Sequence, residues 1–382
     1  MATDKNPFLF GIEVKGSSFC NRKAEIRELL SEIYNSQNIL LFSQRRYGKT
    51  SLIKYVFSKC PKNEILTIYI DLYPVMTEED FVSMFAQAIL KSVYGNIKTA
   101  LDKISGFFKN IHPQISISSD GTITYHFDIN SNKIIYTLDD ILESVKKFSD
   151  KEKRKLVICF DEFQQIALFP TDRIEKTLRS HIQTHANVSY IFMGSKKHLI
   201  SDIFNNPNRP FYRSAKSFPL QKISEEELVK FVIARFKSTN KIISKELAQR
   251  IVEACESHPY YIQYLSHIIW EEALVQKTVS SNIVTESLKI LLEREEPVYD
   301  SMWSTLTFMQ KRCLLSLSDV GDTENVFSNK YIEKHNLNSY AALKRVVDSL
   351  TKKDLIERKG NTCSIIDIFF KKWIKHRISE KR

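Results

Sequence analysis

The chain contains 382 residues, enough at roughly 150 per domain for two or three domains with substantial cores. Hydrophobic residues make up 43% of it, which excludes a disordered chain. Lysine and arginine number 56 against 45 aspartate and glutamate, a formal net charge of +11. With only 9 glycines and 10 prolines, the composition excludes a collagen-like or linker-rich protein and favours long helices joined by short loops.

The sequence predicts a cytoplasmic protein. Residues 1–7 lack a basic segment followed by an apolar run, so no signal peptide is expected. No stretch approaches 18 consecutive apolar residues, which argues against a membrane span. The six cysteines are scattered and form no C-x-x-C pair, a pattern that favours reduced, buried thiols over a zinc site or a disulfide framework.

Helical and strand-like runs alternate over the first two hundred residues. In chain order the pattern predicts a helix over 24–34, a strand over 38–42, a helix over 50–59, a strand over 65–72, a helix over 78–94, a β-hairpin around Asp120-Gly121, a helix over 138–148 and strands over 156–160 and 188–193. Buried strands alternating with helices imply an α/β fold, a parallel sheet with helices on both faces and the hairpin as an insertion at about 112–130.

The charge pattern and the helical run beyond residue 222 divide the rest of the chain. Residues 251–300 carry 3 basic and 9 acidic groups, whereas residues 301–382 carry 16 basic and 9 acidic groups. This shift near residue 300 predicts a domain boundary. We therefore expect an α/β core over 1–222, a helical region over 223–300 and a third domain over 301–382.

A phosphate-binding loop is predicted between the first strand and the next helix. The segment matches the P-loop pattern G-x-x-x-x-G-K-[ST] except at its first position, where serine replaces glycine. Backbone N–H groups at a helix N-terminus cradle phosphates, Lys49 would reach the β- and γ-phosphates and Thr50 would ligate magnesium. The alternative is a surface turn with a lysine, which the flanking strand and helix disfavour. The candidate nucleotide-binding residues here are Ser43, Gln44, Arg45, Arg46, Tyr47, Gly48, Lys49, Thr50 and Ser51.

An acidic strand end supplies the second element. Residues 156–160 form an apolar run that Asp161 and Glu162 follow directly. Ligands bind where strands of such sheets end, so Asp161 would hold Mg²⁺ and Glu162 would orient and deprotonate an attacking water. An Asp-Glu helix cap is the alternative interpretation. Together with the P-loop, the acidic strand end indicates a site for a nucleoside triphosphate and Mg²⁺.

At these residues the chain resembles the archaeal-type P-loop ATPases, relatives of the AAA+ and STAND groups that also occur in bacteria. Residues 43–52 are similar to the family's G-P-R-R-x-G-K-T-S-L, with departures at Ser43 and Gln44, and residues 161–164 match its D-E-F-Q segment. If the position of Ser43 required a positive φ, serine would cost about 1–2 kcal/mol there relative to glycine. Residues 19–25 resemble the F-x-x-R-x-x-E segment that precedes the P-loop strand in this family. The resemblance implies that Arg22 lies near the adenine of ATP.

The resemblance implies three further features of the site. Ser195, after the strand ending in Gly-Ser, stands where relatives sense the γ-phosphate, which adds it to Lys49 and Glu162 as a catalytic candidate. Residues 223–300 correspond to a lid that closes on the nucleotide through Pro259, although Ser257 stands where glycine is usual. Relatives often complete the site with an arginine from a neighbouring subunit or the lid. Arg209 and Arg213 are candidates, with ordinary structural arginines the favoured interpretation.

From about residue 301 the pattern predicts a winged helix. One helix face would carry Trp303, Leu306, Met309, Cys313 and Leu317, and a short second helix would span 328–335. Asn338 would cap a third helix, followed by a hairpin that turns at residues 359–361 and by a final basic helix. Winged-helix domains also end members of the resembled family. The candidate contacts to double-stranded DNA are Lys344, Arg345, Lys352, Arg358 and Lys359, and docking of a partner protein is the alternative.

These observations predict an ATP-binding and ATP-hydrolysing switch that couples its nucleotide state to the winged helix. Two alternatives stay open: a nucleotide-binding signalling scaffold with negligible turnover, and a DNA-binding regulator that uses nucleotide only structurally. Nucleotide-dependent self-assembly is also left open. His181 and His185 have the i, i+4 spacing of a helical zinc pair, but no third ligand is evident and ordinary helix residues are favoured.

Overall fold

The computed structural model describes residues 5–12, 20, 22–94, 114–117, 123–126, 133–152, 154–319 and 325–379. It divides into two compact units. One unit spans residues 22–221, and the other combines residues 1–21 with residues 222–382. The predicted domain limits at residues 222 and 300 remain predictions.

The unit of residues 22–221 alternates strands and helices. Its elements are α1 (Lys23–Tyr34), β1 (Ile39–Phe42), α2 (Lys49–Lys59), β2 (Ile65–Asp71), α3 (Glu78–Tyr94), β3 (Gln114–Ile117), β4 (Ile123–His126), α4 (Ile134–Glu152), β5 (Lys155–Asp161), a 3₁₀ helix (Phe163–Leu168), α5 (Arg173–Ile182), β6 (Val188–Gly194), α6 (Lys197–Asn205) and β7 (Lys216–Pro219). The strands and helices predicted from the sequence fall within these elements or differ from them by a few residues at their ends.

Five of these strands form one parallel sheet in the order β2-β5-β6-β1-β7. Every residue of β6 is buried, which explains why its sequence is apolar on both faces except at Ser189 rather than alternating. The sheet confirms the predicted α/β class with a parallel sheet. Strand β7 has no counterpart in the prediction, because it is four residues long, largely exposed and ends at Pro219.

The strand order places the ends of three strands side by side. Strand β6 lies between β1 and β5, with Phe42 opposite Gly194 and Phe160 opposite Phe192. The carboxyl ends of β1, β6 and β5 therefore meet at one edge of the sheet, where ligands bind in folds of this kind.

Strands β3 and β4 form the predicted insertion. They pair antiparallel, with Gln114 opposite His126 and Ile117 opposite Ile123. The predicted turn at Asp120-Gly121 lies outside the described residues.

The second unit is mainly helical. Its elements are α7 (Glu225–Lys237), α8 (Lys245–Ala254), α9 (Pro259–Glu272), α10 (Ser281–Ser304), α11 (Phe308–Asp319), α12 (Asn329–Lys334), α13 (Tyr340–Lys352), β8 (Ile356–Lys359), β9 (Thr362–Ile365) and α14 (Ile368–Ser379). Helix α10 runs across residue 300, where the charge pattern predicts a boundary. No helix among the described residues has the length and apolar character needed to cross a membrane.

Two local predictions for this unit are wrong. The predicted single helix over 303–317 is divided between α10 and α11, because Thr307 and Gln310 form a reciprocal capping box that starts a new helix. The cap of α13 is Ser339 rather than Asn338: the Ser339 side chain accepts the N–H of Ala342, whereas Asn338 takes a left-handed φ of 64°.

Residues 5–12 belong to this second unit. Phe8 is fully buried with its ring 4.8 Å from that of Phe236, and the ring of Phe10 stacks on Tyr264 at 4.2 Å. His267 Nδ1 lies 2.8 Å from the carbonyl oxygen of Phe8. The N-terminal segment is thus an integral part of the core that α7 and α9 build.

The two histidines with zinc-like spacing are held by other groups. Helix α5 ends at Ile182, so His185 is not on it. His181 Nε2 lies 2.9 Å from an oxygen of Asp139, and His185 Nδ1 lies 2.7 Å from the hydroxyl of Tyr190. No cluster of three or more metal-binding side chains occurs in the described part of the chain. Burial, with the neighbouring His181 and Lys146, lowers the pKa of His185 to about 4.

We expect His185 to make the protein less stable in mild acid. In the unfolded chain its pKa is about 6.5, so between pH 6.5 and pH 4 the unfolded state binds the additional proton. The contribution of neutral His185 is complete above pH 6.5 and falls by up to about 3 kcal/mol by pH 4. The measurement is the free energy of unfolding against pH for the wild type and His185→Phe. Parallel curves for the two proteins over this range would contradict the assignment.

Candidate functional site

The loop between β1 and α2 has the geometry of an anion-binding helix start. Gly48 precedes the first residue of α2 with a left-handed φ of 83°. An added Cβ at Gly48 would meet nothing within 4 Å, so the requirement for glycine there is conformational rather than steric. Gly48 has no side chain with which to cap the first N–H groups of α2, which suits them to a phosphate. Arg45 and Arg46 are exposed beside this loop.

Ser43 takes the place of the first loop glycine without backbone strain. It is not among the non-glycine residues with a positive φ, so the cost of 1–2 kcal/mol considered above does not arise. Its carbonyl oxygen and that of Gln44 each accept a hydrogen bond from Lys49 Nζ at 3.2 Å. The lysine ammonium thus lies against the loop that precedes it.

Lys49 is buried among charged neighbours, with 6% of its surface exposed. Burial lowers the pKa of Lys49, while the negative charges of Glu162 and Asp161 raise it and Arg45 lowers it further. A phosphate bound beside Lys49 would supply additional negative charge and so favour the ammonium form.

The structure brings together the two predicted metal ligands. Thr50 Oγ1 donates a hydrogen bond of 2.8 Å to Asp161 Oδ2, across the end of β6. The backbone N–H of Glu162 donates to Asp161 Oδ1 at 2.9 Å. Because the Thr50 hydroxyl donates its proton to Asp161 in a hydrogen bond, the lone pairs of its oxygen are available to coordinate a cation. Hydroxyl and carboxylate oxygens are ligands that Mg²⁺ prefers, so the pair fits this metal.

Tyr69 also contacts this carboxylate. Its hydroxyl donates to Asp161 Oδ2 at 2.5 Å, from strand β2. Burial, reinforced by Asp161, raises the pKa of Tyr69 above its usual range, so the hydroxyl keeps its proton and acts as a donor. Sequence reasoning did not select Tyr69, since a tyrosine inside a strand carries no motif.

Glu162 and Ser195 also meet. Ser195 Oγ donates to Glu162 Oε2 at 2.9 Å, and Gln164 Nε2 donates to the same oxygen. Glu162 holds a left-handed φ of 51° just before the 3₁₀ helix. A residue in this sparsely populated region costs energy that only surrounding contacts can offset. Gln164 was recognised as part of the D-E-F-Q segment, but its contact with Glu162 was not anticipated.

Arg22 stabilises the loop between β1 and α2 through a hydrogen bond to its backbone. It is 3% exposed, and its guanidinium donates to the carbonyl oxygens of Tyr47 at 3.4 Å and Gln221 at 3.0 Å and to the carboxylate of Glu25 at 2.8 Å. Tyr47 is itself buried in the core. These contacts occupy Arg22 within its own unit, and its predicted place near the adenine remains a prediction.

The other predicted site residues have distinct environments. Arg209 forms an ion pair with the buried Glu175, consistent with a structural arginine, whereas Arg213 is exposed. Ser51 is buried on α2. Pro259 is the first residue of α9 in the second unit, and its role at the nucleotide remains a prediction.

The candidate DNA contacts lie on α13 and the β8–β9 hairpin. Lys344, Arg345 and Lys352 are exposed on α13. Arg358 is instead held within the domain: its guanidinium lies 4.6 Å from the centre of the Phe327 ring and donates to the carbonyl oxygen of Gly360. Lys359 at the hairpin tip is exposed, and its ammonium is 3.7 Å from Glu357.

Comparisons with known proteins agree with this architecture. The family model described as a probable winged helix domain matches residues 297–376. The structure is similar to a Walker-type ATPase of Pyrococcus abyssi at 16% identity, covering 97% of this chain and 99% of that one with a TM-score of 0.66. The chain has the fold of a P-loop ATPase that ends in a winged helix. This result confirms at the level of the fold the resemblance inferred from the sequence motifs.

Two archaeal ORC proteins of Aeropyrum pernix are also similar. The ORC2 protein, solved with ADPNP and ADP, is 12% identical and covers 94% of this chain and 93% of its own, with a TM-score of 0.56. The ORC1 protein, solved in complex with DNA, is 12% identical and covers 96% of both chains, with a TM-score of 0.50. None of the curated proteins matches the chain significantly in sequence.

We expect Gly194 and Gln164 to be energetically coupled. A Cβ at residue 194 would lie 2.6 Å from Gln164 Oε1 and 3.1 Å from Ile200, so Gly194→Ala must displace Gln164. The cost should be about 1–3 kcal/mol of unfolding free energy. It should shrink when Gln164→Ala is introduced first, since the closest contact is then absent. Denaturant unfolding of both single variants and the double variant measures the coupling, and additive effects within about 0.5 kcal/mol would refute it.

Proposed function

We propose that the protein is a Mg²⁺- and ATP-dependent molecular switch. The observation that carries this proposal is the convergence of five side chains at one sheet edge: the P-loop lysine Lys49, the Thr50–Asp161 pair and the Glu162–Ser195 pair. Each pair comes from different elements, and each combines residue types suited to phosphate and metal chemistry. The archaeal ATPase fold supports the same assignment.

The residues divide the work of binding. The N–H groups at the start of α2 and the ammonium of Lys49 would receive the phosphates of ATP. Thr50 and Asp161 would hold Mg²⁺, which when bound neutralises phosphate charge. Tyr47 and Ser51 would contact the nucleotide mainly through their backbone, since both side chains are buried.

Hydrolysis would depend on Glu162. Ser195 and Gln164 both contact Oε2 of this carboxylate, so Oε1 is the oxygen suited to accept a proton from water. Ser195 stands at the end of β6, between the P-loop strand and the acidic strand. It would therefore sense the γ-phosphate and report it to Glu162 through their shared hydrogen bond.

The winged helix would respond through the lid. Within the second unit, the ring of Phe369 on α14 lies 4.8 Å from that of Tyr261 on α9, and Lys371 Nζ lies 3.2 Å from the carboxylate of Glu256. Glu256 and Ser257 both hold positive φ angles, 47° and 60°, directly before α9 begins. A shift of this strained turn would therefore displace the contacts that α14 makes with it. These contacts support coupling between the lid and the winged-helix domain.

Double-stranded DNA is the partner that the charge distribution favours. Residues 351–382 carry 10 basic and 4 acidic groups, and α13 exposes further cations. Such a basic surface supplies the salt-dependent part of DNA binding. The similar ORC1 protein was solved with DNA, which supports the same partner.

Replacing Glu162 with glutamine should abolish hydrolysis but not binding. The amide keeps the size of the side chain and its contacts but cannot accept the proton, so single-turnover phosphate release should fall on the order of 100-fold or more. Glu64→Gln, an exposed carboxylate in the same unit, is the matched control. Unchanged release in Glu162→Gln would refute the catalytic assignment. ATP binding with no release in the wild type would favour the signalling scaffold.

Reversing two charges on α13 tests the proposed binding of double-stranded DNA. The double variant Lys344→Glu/Arg345→Glu should weaken duplex binding on the order of tenfold or more and flatten its dependence on salt. Lys277→Glu/Lys289→Glu makes the same charge change at exposed lysines of residues 223–300 and should retain most of the affinity. Absence of duplex binding by the wild type at low salt would instead favour a protein partner.

A further inference from the structure

Tyr69 lies on β2, a strand that contains no nucleotide-binding motif, and its side chain contacts the candidate site. It is half-buried on β2, which pairs with β5, and stands opposite Cys159 in the register. Its hydroxyl reaches Asp161 Oδ2, the same oxygen that accepts the proton of Thr50. Two hydroxyl groups from two separate elements therefore converge on one carboxylate oxygen.

Counting donors shows what these contacts do to Asp161. An ionised carboxylate has about four acceptor positions. Thr50 and Tyr69 fill two of them at Oδ2, and the N–H of Glu162 fills one at Oδ1. The three donors come from three separate parts of the chain and together oppose rotation of the carboxylate. The remaining acceptor position lies on Oδ1.

Lys54 holds the tyrosine ring in turn. Its ammonium lies 4.8 Å from the centre of the Tyr69 ring. Lys54 is four residues after Thr50, so both side chains leave the same face of α2. Helix α2 therefore contacts the carboxylate directly through Thr50 and, through Lys54, contacts the tyrosine that donates to it.

We propose that Tyr69 is a positioning residue that fixes the Asp161 carboxylate for Mg²⁺. The proposal rests on the proposed nucleotide site and goes beyond it, because it assigns to β2 a part in metal binding. Without the tyrosine hydroxyl, Asp161 keeps its contact with Thr50 but loses one of its three hydrogen-bond donors. The Mg²⁺-dependent part of nucleotide binding weakens, and the Mg²⁺-independent part does not.

The test is the binding of AMP-PNP to the full chain, by calorimetry, in EDTA and over a series of Mg²⁺ concentrations. A hydrogen bond to a charged group contributes about 1.5–3 kcal/mol, equivalent to roughly 10- to 150-fold in a binding constant. Tyr69→Phe should therefore require at least about tenfold more Mg²⁺ for half-maximal enhancement of binding, with affinity in EDTA within about twofold of the wild type. Tyr136→Phe, a change at an exposed tyrosine on α4, is the matched control and should leave both quantities unchanged.

Lys54→Gln provides a second variant in which Tyr69 remains. It should shift the Mg²⁺ requirement in the same direction but only about two- to fivefold, equivalent to the 0.5–1 kcal/mol of a cation–π contact at a partly exposed site. An unchanged Mg²⁺ requirement in Tyr69→Phe would overturn the proposal while leaving the nucleotide site intact. Equal losses with Mg²⁺ and with EDTA would also overturn it, by showing a general structural role. A wild type that binds no AMP-PNP would overturn the proposed function together with this inference.

Discussion

The hydrogen bond between Thr50 and Asp161 is the contact on which the candidate site depends. The two residues follow strands that are not neighbours, because β6 lies between β1 and β5. Their side chains can meet only across the end of β6, where Gly194 presents no side chain. The same absence leaves room for Gln164, which reaches Glu162. The small residue at this strand end thus permits the contact between Gln164 and Glu162.

The sequence was sufficient to predict the sheet, the P-loop and the acidic strand end, because each has a strong local signal. Continuous apolar runs marked the buried strands, and Gly48-Lys49-Thr50 stood directly between strand and helix. The convergence of Asp161 with Thr50 followed from the rule that parallel strands end at one edge. Topology therefore supplied the contact that residue spacing alone could not have shown.

Other features were hidden because their causes are not local. Tyr69 acts through a neighbour 92 positions away in the chain, and a tyrosine in a strand is ordinary. Strand β7 forms because β1 offers an open edge, not because its own residues are strongly strand-like. The division between α10 and α11 had a visible signal in Thr307 and Gln310, but the continuous apolar spacing around it outweighed that signal.

The burial of Phe8 against Phe236 has a consequence for how the chain matures. The second unit is discontinuous in sequence. Residues 5–12 leave the ribosome before residues 22–221, whereas the helices against which residues 5–12 pack are synthesised after residues 22–221. The side chain of Phe8 therefore stays exposed to solvent while the α/β unit is synthesised and can fold. Completion of the helical unit is consequently a late, long-range closure, slower than local helix formation and exposed to misassembly until it occurs.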